Sequence, residues 1–171
     1  MTISKVAVIG AGNGGITAAA DLSQKGFKVT LFENEKFVSN IKKIDEFGGI
    51  YFQEKNQTEF IDVHKVTTDI KEAVNGAEIV MLTVPGFAIE SMAAVLAPVV
   101  NEAQIIFLNG AGAMGALRFV NEARSLGIDK QFKIAETNSL TYGTRAFPGE
   151  ARVELGLRVK KLFFAAYPKE H

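Results

Sequence analysis

Val6-Ala-Val-Ile-Gly10-Ala-Gly12-Asn-Gly14-Gly15 is the stretch on which the reading of this chain turns. Gly10, Gly12 and Gly15 fit the pattern G-x-G-x-x-G, and the context gives the pattern weight. An apolar, β-branched run from Lys5 to Ile9 leads straight into Gly10, and a helix-prone run from Ile16 to Lys25 follows Gly15. Gly26 breaks that helix, and Phe27 to Glu33 reads as a second strand. The strand ends on an acid about 20 positions past the glycines, where a βαβ unit places the partner of a dinucleotide's ribose. Gly10 permits the tight turn out of the strand, Gly12 lets the backbone approach a pyrophosphate, and Gly15 lets helix and strand pack closely. The loop carries no cationic side chain. The unpaired N–H groups and positive dipole end of a helix supply the attraction for an anion instead.

Strand and helix patterns continue to alternate beyond this unit, which predicts an α/β fold with a doubly wound, mostly parallel sheet of the Rossmann type. Residues 34–46 carry Phe37, Val38, Ile41 and Ile44 at helical spacing, and Gly48-Gly49 ends that segment. Ile50 to Phe52 and Phe60 to Val63 predict two short strands around a polar turn. Asp69 is placed to cap a short helix over Ile70 to Val74, closed by Gly76. Glu78 to Val84 is a near-continuous apolar run, as a buried parallel strand should be, and Pro85-Gly86 stops it. Residues 87–100 predict an amphipathic helix, 104–108 a strand, 114–126 a helix and 132–136 a strand. After Asn138 the pattern becomes strand-like with short turns, with Pro148-Gly149 as a hairpin signal. An antiparallel extension of the parallel sheet is expected there.

Composition limits the partners. Of 171 residues, 47% are hydrophobic, enough for a core of one domain. Lys plus Arg and Asp plus Glu both number 19, so net charge gives no pull toward nucleic acid or an anionic membrane. No cysteine is present, which excludes disulfides and thiolate metal sites and fits a reducing compartment. No apolar run reaches the length of a membrane span or of a secretory leader. A soluble cytoplasmic protein is expected.

In an open α/β sheet the loops after the strands meet at one edge, and ligands bind there. That edge should gather Gly10, Ala11, Gly12, Asn13, Gly14, Gly15, Glu33, Val84, Pro85, Asn109 and Gly110 as cofactor-binding residues. Glu33 would accept from the hydroxyls of the adenosine ribose, which favours NAD over NADP because a 2′-phosphate would meet a like charge. Asn109 is a candidate for a nicotinamide ribose or a substrate carboxylate, or else a turn-former before Gly110. Thr137 and Arg145 are candidates to face the substrate, Arg145 by pairing with a carboxylate. Neither His64 nor His171 follows a strand at this edge, so no catalytic residue is assigned, and no His, Asp and Glu cluster points to a metal.

Val6 to Gly15, Met81 to Pro85, Asn109-Gly-Ala-Gly and above all Glu136-Thr-Asn-Ser-Leu-Thr-Tyr-Gly-Thr-Arg145 together resemble the opine dehydrogenases of the octopine and nopaline type. The resemblance runs over almost the whole chain, with Thr141 standing where relatives often have proline. It implies reductive condensation of an amino acid with a 2-keto acid by hydride transfer from NADH or NADPH. It also implies a helical second domain that holds the catalytic histidine and its carboxylate partner. Residues 1–171 match only the dinucleotide-binding domain, and the partner expected for it is that second domain. The apolar run around Phe163 and Phe164 is expected to border such a partner or to drive homodimer formation. Two alternatives stay open. One is a domain like that of glycerol-3-phosphate dehydrogenase or ketopantoate reductase. The other is a standalone regulatory nucleotide sensor.

Overall fold

A computed structural model describes residues 3–110 and 114–168. The opening unit forms as its sequence dictates. β1 (Lys5–Ile9) enters the glycine turn, α1 (Asn13–Gln24) follows, and β2 (Lys28–Phe32) pairs parallel to β1. Alternation along β1 sends Val6 and Val8 to one face and Ala7 and Ile9 to the other, each into its own apolar core. A strand buried on both faces needs apolar residues at every position, which is what the run provides.

The segment after β2 departs from a continuous helix. A 3-10 turn (Glu35–Asn40) with non-helical Phe37 (φ −120°, ψ 23°) precedes α2 (Lys42–Phe47), which Gly48 ends in the left-handed region. The Asn34 side chain accepts from the Lys36 N–H and starts the tighter turn. The kink leaves Phe37 and Val38 exposed, while Ile41 and Ile44 are buried. β3 (Gly49–Glu54) and β4 (Gln57–Asp62) form a hairpin. The brief β5 (Lys65–Thr67) joins β2; its Lys-Val-Thr sequence carries no periodic signal. Asp69 caps α3 (Ile70–Val74), its side chain accepting from the N–H groups of Lys71 and Glu72. β6 (Ile79–Leu82), a 3-10 turn (Gly86–Ala88), α4 (Ile89–Leu96), β7 (Ile105–Leu108), α5 (Gly115–Ser125) and β8 (Lys133–Thr137) continue the alternation.

The main sheet has the order β11-β8-β7-β6-β1-β2-β5, where β11 (Phe164–Tyr167) runs antiparallel to β8 and every other pairing is parallel. Helices α3, α4 and α5 cover one face. α1, α2 and a second sheet cover the other.

The strands after Asn138 divide between the two sheets. β11 alone supplies the antiparallel edge of the main sheet. β9 (Tyr142–Phe147) and β10 (Arg152–Arg158) leave it and join the hairpin in a sheet of order β4-β3-β10-β9, with β3 and β10 parallel. The physical reason is burial. Ile50, Phe52 and Ile61 from the hairpin, and Tyr142, Val153 and Leu155 from the later strands, bury their faces in one core over α1. Neither pair of strands could do so alone. Gly110 and Leu140 fix the departure, because a Cβ on Gly110 (φ +86°) would stand 2.9 Å from the Leu140 backbone nitrogen. Phe163 and Phe164 beside the β11 edge are 65% and 72% exposed. Among the described residues no helix is long and apolar enough to cross a membrane.

Candidate functional site

Parallel register brings the strand ends level. Ile9 pairs with Phe32 and with Leu82, Leu82 with Leu108, and Leu108 with Glu136. Gly10, Glu33, Thr83, Asn109 and Thr137 therefore line up along one edge. The chain crosses from one side of β1 to the other between β5 and β6, so the switch point of the sheet lies between β1 and β6. A cavity of about 580 Å³ opens there.

Gly10 and Gly12 form its floor, Glu33, Asn34, Lys36, Phe37 and Asn40 one wall, and Thr83, Val84 and Pro85 another. Phe87, Met92 and Val95 make an apolar rim. Gly10 sits at φ +97°, and a Cβ on it would lie 2.8 Å from Val84 Cγ1. Gly15 meets the tightest constraint, since its Cβ would lie 1.7 Å from the Gly10 carbonyl oxygen. That oxygen also accepts from the Thr83 hydroxyl at 2.9 Å. A Cβ on Gly12 would meet nothing within 4 Å, so the space above it is open. No side chain caps α1, whose first turn holds no acidic residue. An anion at Gly12 would face N–H donors without competition from a carboxylate. The cavity thus fits a dinucleotide: open space over Gly12, a bare helix N-terminus, an acid at the ribose end and an apolar rim.

Glu33, 9% exposed, is anchored in place. Its Oε2 accepts from the Ala11 N–H at 2.9 Å and from Asn40 Nδ2 at 3.3 Å, and its Oε1 accepts from the Asn34 N–H at 2.8 Å. Two carboxylate oxygens offer about four acceptor positions, so one remains for a ribose hydroxyl. Ala11 is buried with its N–H committed to Glu33. Asn13 directs its side chain away from the cavity to accept from the Ala146 N–H of β9 at 2.9 Å, and its own N–H stays in the first turn. A Cβ on Gly14 would strike Leu140 at 2.8 Å, so the bare position makes room for that side chain.

The remaining strand-end residues are bonded to one another. Asn109 Oδ1 accepts from both the N–H and the hydroxyl of Thr141 at 3.0 Å. Thr137 Oγ1 accepts from the Gly110 N–H at 2.9 Å. Residues 111–113 of the same loop lie outside the described residues, as does His171. Glu136 accepts from the Ala116 N–H in the first turn of α5. Arg145 is exposed on β9 in register with Glu154. Strand alternation puts it on the face opposite Tyr142 and Thr144, which both face α1, so it is not brought to the cavity. His64 is exposed just after β4. Among the described residues no group of three or more His, Cys, Asp or Glu could hold a metal.

Lys36 follows Glu33 closely enough in sequence to be a candidate neighbour of a ribose phosphate, but Phe37, Asn40, Phe87, Met92 and Val95 carry no signal as cavity residues. Helical spacing groups Phe37 with Ile41 and Ile44, and the kink at Phe37 separates it from them. Phe87, 86% exposed, read as part of an amphipathic helix but stands on the 3-10 turn before α4.

Comparison with known proteins agrees with this geometry. Residues 5–123 match the family model described as NAD-dependent glycerol-3-phosphate dehydrogenase N-terminus, and the chain belongs to that family. It is 33% identical over 148 residues to an opine dehydrogenase of Arthrobacter sp. (strain 1C), a match covering 86% of this chain and 40% of the relative. It is 30% identical over 151 residues to the glycerol-3-phosphate dehydrogenase of Halothermothrix orenii, covering 85% and 41%. The fold matches octopine dehydrogenase with NADH and L-arginine (TM-score 0.80, 20% identity, 95% of this chain and 42% of that one). It also matches a ketopantoate reductase from Ralstonia eutropha JMP134 (TM-score 0.68, 22% identity, 94% and 49%). The chain spans about two fifths of the length of the curated relatives named here. It is an NAD(P)-binding N-terminal domain of the kind shared by these dehydrogenases.

The open space over Gly12 gives a direct test. Gly12→Val should fold normally, because its side chain meets no protein atom within 4 Å of the Cβ. It should weaken NADH binding at least about a hundredfold, since two or more charge-assisted hydrogen bonds worth about 1.5–3 kcal/mol each are lost. NADH fluorescence titration beside a thermal melt measures both, and unchanged affinity in a folded variant would exclude the cavity as the diphosphate site.

Proposed function

We propose that this chain is the cofactor-binding part of an opine-type dehydrogenase, which joins an amino acid to a 2-keto acid and reduces the resulting imine. The observation that carries this reading is the opine dehydrogenase match, 33% identical over 148 residues against 30% over 151 residues for the glycerol-3-phosphate dehydrogenase, taken with the resemblance of the Glu136 to Arg145 segment. NADH bound in the cavity supplies the hydride. The first turn of α1 holds the diphosphate, Glu33 accepts from the ribose, and Phe37 with the Phe87, Met92 and Val95 rim shields the adenine from water. The acid–base pair and the amino-acid contacts belong to a helical domain outside residues 1–171, which form one dinucleotide-binding domain. The purified chain is therefore expected to bind NADH and to show no turnover with any amino acid and 2-keto acid. Turnover by the 171-residue chain alone would overturn this division of labour.

A second reading, glycerol-3-phosphate dehydrogenase chemistry, is favoured by the family model itself. Assay of the protein joined to a helical domain separates the two. The opine reading requires both an amine and a 2-keto acid before absorbance at 340 nm falls, whereas dihydroxyacetone phosphate alone suffices for the other.

Glu33 favours NAD(H) over NADP(H), because its carboxylate would repel a 2′-phosphate. Lys36 in the same wall opposes that preference. A charged hydrogen bond contributes roughly 1.5–3 kcal/mol, so the preference should be about ten- to a hundredfold. Glu33→Gln keeps an acceptor for the Ala11 N–H and removes the charge. It is expected to weaken NADH about tenfold and to narrow the gap to NADPH. Tighter binding of NADPH than NADH by the unaltered chain would reverse the assignment and make Lys36 the phosphate partner.

A further inference from the structure

Asn13, Thr17 and Asp21 recur every fourth residue on one face of α1, and each meets β9. The Asn13 carbonyl oxygen Oδ1 accepts from the Ala146 N–H at 2.9 Å. Thr17 Oγ1 lies 2.6 Å from Thr144 Oγ1. Asp21 Oδ2 accepts from the Tyr142 hydroxyl at 2.9 Å. Helix and strand run in opposite directions here, and their repeats match. Four helical residues rise about 6.0 Å, and two strand residues rise about 6.8 Å. The middle rung continues at both ends, because Thr17 Oγ1 is 2.7 Å from the Asn13 backbone carbonyl oxygen and Thr144 Oγ1 is 2.9 Å from the Glu154 backbone carbonyl oxygen. One hydroxyl hydrogen lies between the two threonine oxygens, and the other reaches one of those carbonyls. Thr17 and Asp21 are 0% and 2% exposed.

The first turn of α1 has no cap of its own. Its N–H groups point wherever the helix axis points, and apolar burial is non-directional whereas hydrogen bonds to β9 have preferred directions. We infer that this polar ladder, supplied by the second sheet, sets the axial position and roll of α1 so that its first-turn N–H groups meet the diphosphate, with Asn13, Thr17 and Thr144 as positioning residues. The inference rests on the cofactor reading of the cavity. None of the three residues lines the cavity, so they act through the placement of α1.

The test separates position from stability. Thr17→Val keeps the shape and leaves Thr144 free to donate to Glu154, so no hydroxyl is orphaned. It should weaken NADH about fivefold, as the loss of one ordinary hydrogen bond's worth of alignment would. Adenosine, which lacks the diphosphate, is titrated by competition and should keep its affinity within about twofold. Thr17→Ser should restore NADH binding. Thr144→Val removes the same rung from β9 without altering α1 and should reproduce the effect if Thr17→Val folds poorly. Equal losses for NADH and adenosine that track the fall in Tm would reduce the ladder to a structural contact. Unchanged NADH affinity in both valine variants would overturn the inference while leaving the cofactor site intact. No NADH binding by the unaltered protein would overturn the cofactor reading and the ladder with it.

Discussion

Gly15→Ala should cost about 3 kcal/mol or more, at or beyond the upper end of ordinary overpacking. The added Cβ would lie 1.7 Å from the Gly10 carbonyl oxygen and 2.7 Å from Thr83 Oγ1. Neither can yield cheaply, because the first is backbone in a turn and the second is held by the Ile9 and Gly10 carbonyls. At about 2–4 °C per kcal/mol for a domain of this size, Tm should fall by roughly 6–12 °C. NADH binding should be lost, since relief of the clash pushes the first turn of α1 away from Gly10. A variant with normal Tm and normal NADH affinity would mean that helix and strand are not in the close contact described.

Asp21→Ala should be nearly as costly. Asp21 accepts from the buried Tyr142 hydroxyl, from Lys25 Nζ at 2.7 Å and from Arg158 Nη2 at 2.7 Å. Removing it strands a phenol and a guanidinium, and breaking a buried pair costs about 3 kcal/mol at the lower end of its range. The lower end applies because the Arg158 side chain is 33% exposed and also bonds Glu54. Burial alone would raise the Asp21 carboxyl, but the hydrogen bonds from Lys25, Arg158 and Tyr142 outweigh it and hold the group below its ordinary 3.8. A depressed carboxyl stabilises the fold above its unfolded value near 4, and that contribution disappears as pH falls through the lower folded value. Tyr142 works in the opposite sense, since burial and then the Asp21 charge push its phenol above 10.0. Its contribution is complete below about 10 and is lost at higher pH. The urea midpoint of the protein should therefore be level across neutral pH and fall at both ends. Asp21→Asn should be less stable at pH 7, and the gap should shrink by pH 3. A gap of equal size at both pH values would show that charge at Asp21 does not matter.

The legible parts of the molecule are those whose signals are local. The β1-α1-β2 unit, Glu33, the buried run of β6 and the Asp69 cap each lie within a short window, where period and turn chemistry suffice. The second sheet escapes such a window, because Arg152 pairs with Tyr51 across about a hundred residues, and nothing in either segment names the other. Charge misleads in the same region. Nothing in the sequence marks Asp21 and Arg158, since most Asp and Arg are solvated, yet they lie across the joint between α1 and the second sheet. Asn109 is similar: a strand-end amide suggests a ligand contact, whereas its carbonyl oxygen is used by Thr141. At the cavity, backbone geometry was readable from glycines, but the rim was not, because an exposed Phe87 and a core phenylalanine look alike in sequence.

The parallel pairing of β3 with β10 also has a consequence for the order of events during folding. Loop closure over such a separation precedes any reward from the contacts it makes, and high contact order slows folding. On the ribosome, β1, α1 and β2 emerge early, but the strands that clamp α1 arrive only when residue 158 has left the exit tunnel. Until then the hairpin of β3 and β4 offers an unpaired edge, with Tyr51 and Phe60 beside it. A nascent chain therefore has its glycine loop long before that loop is held in place. Dinucleotide in the cell should protect the finished domain from proteolysis and do little for a chain halted before β10.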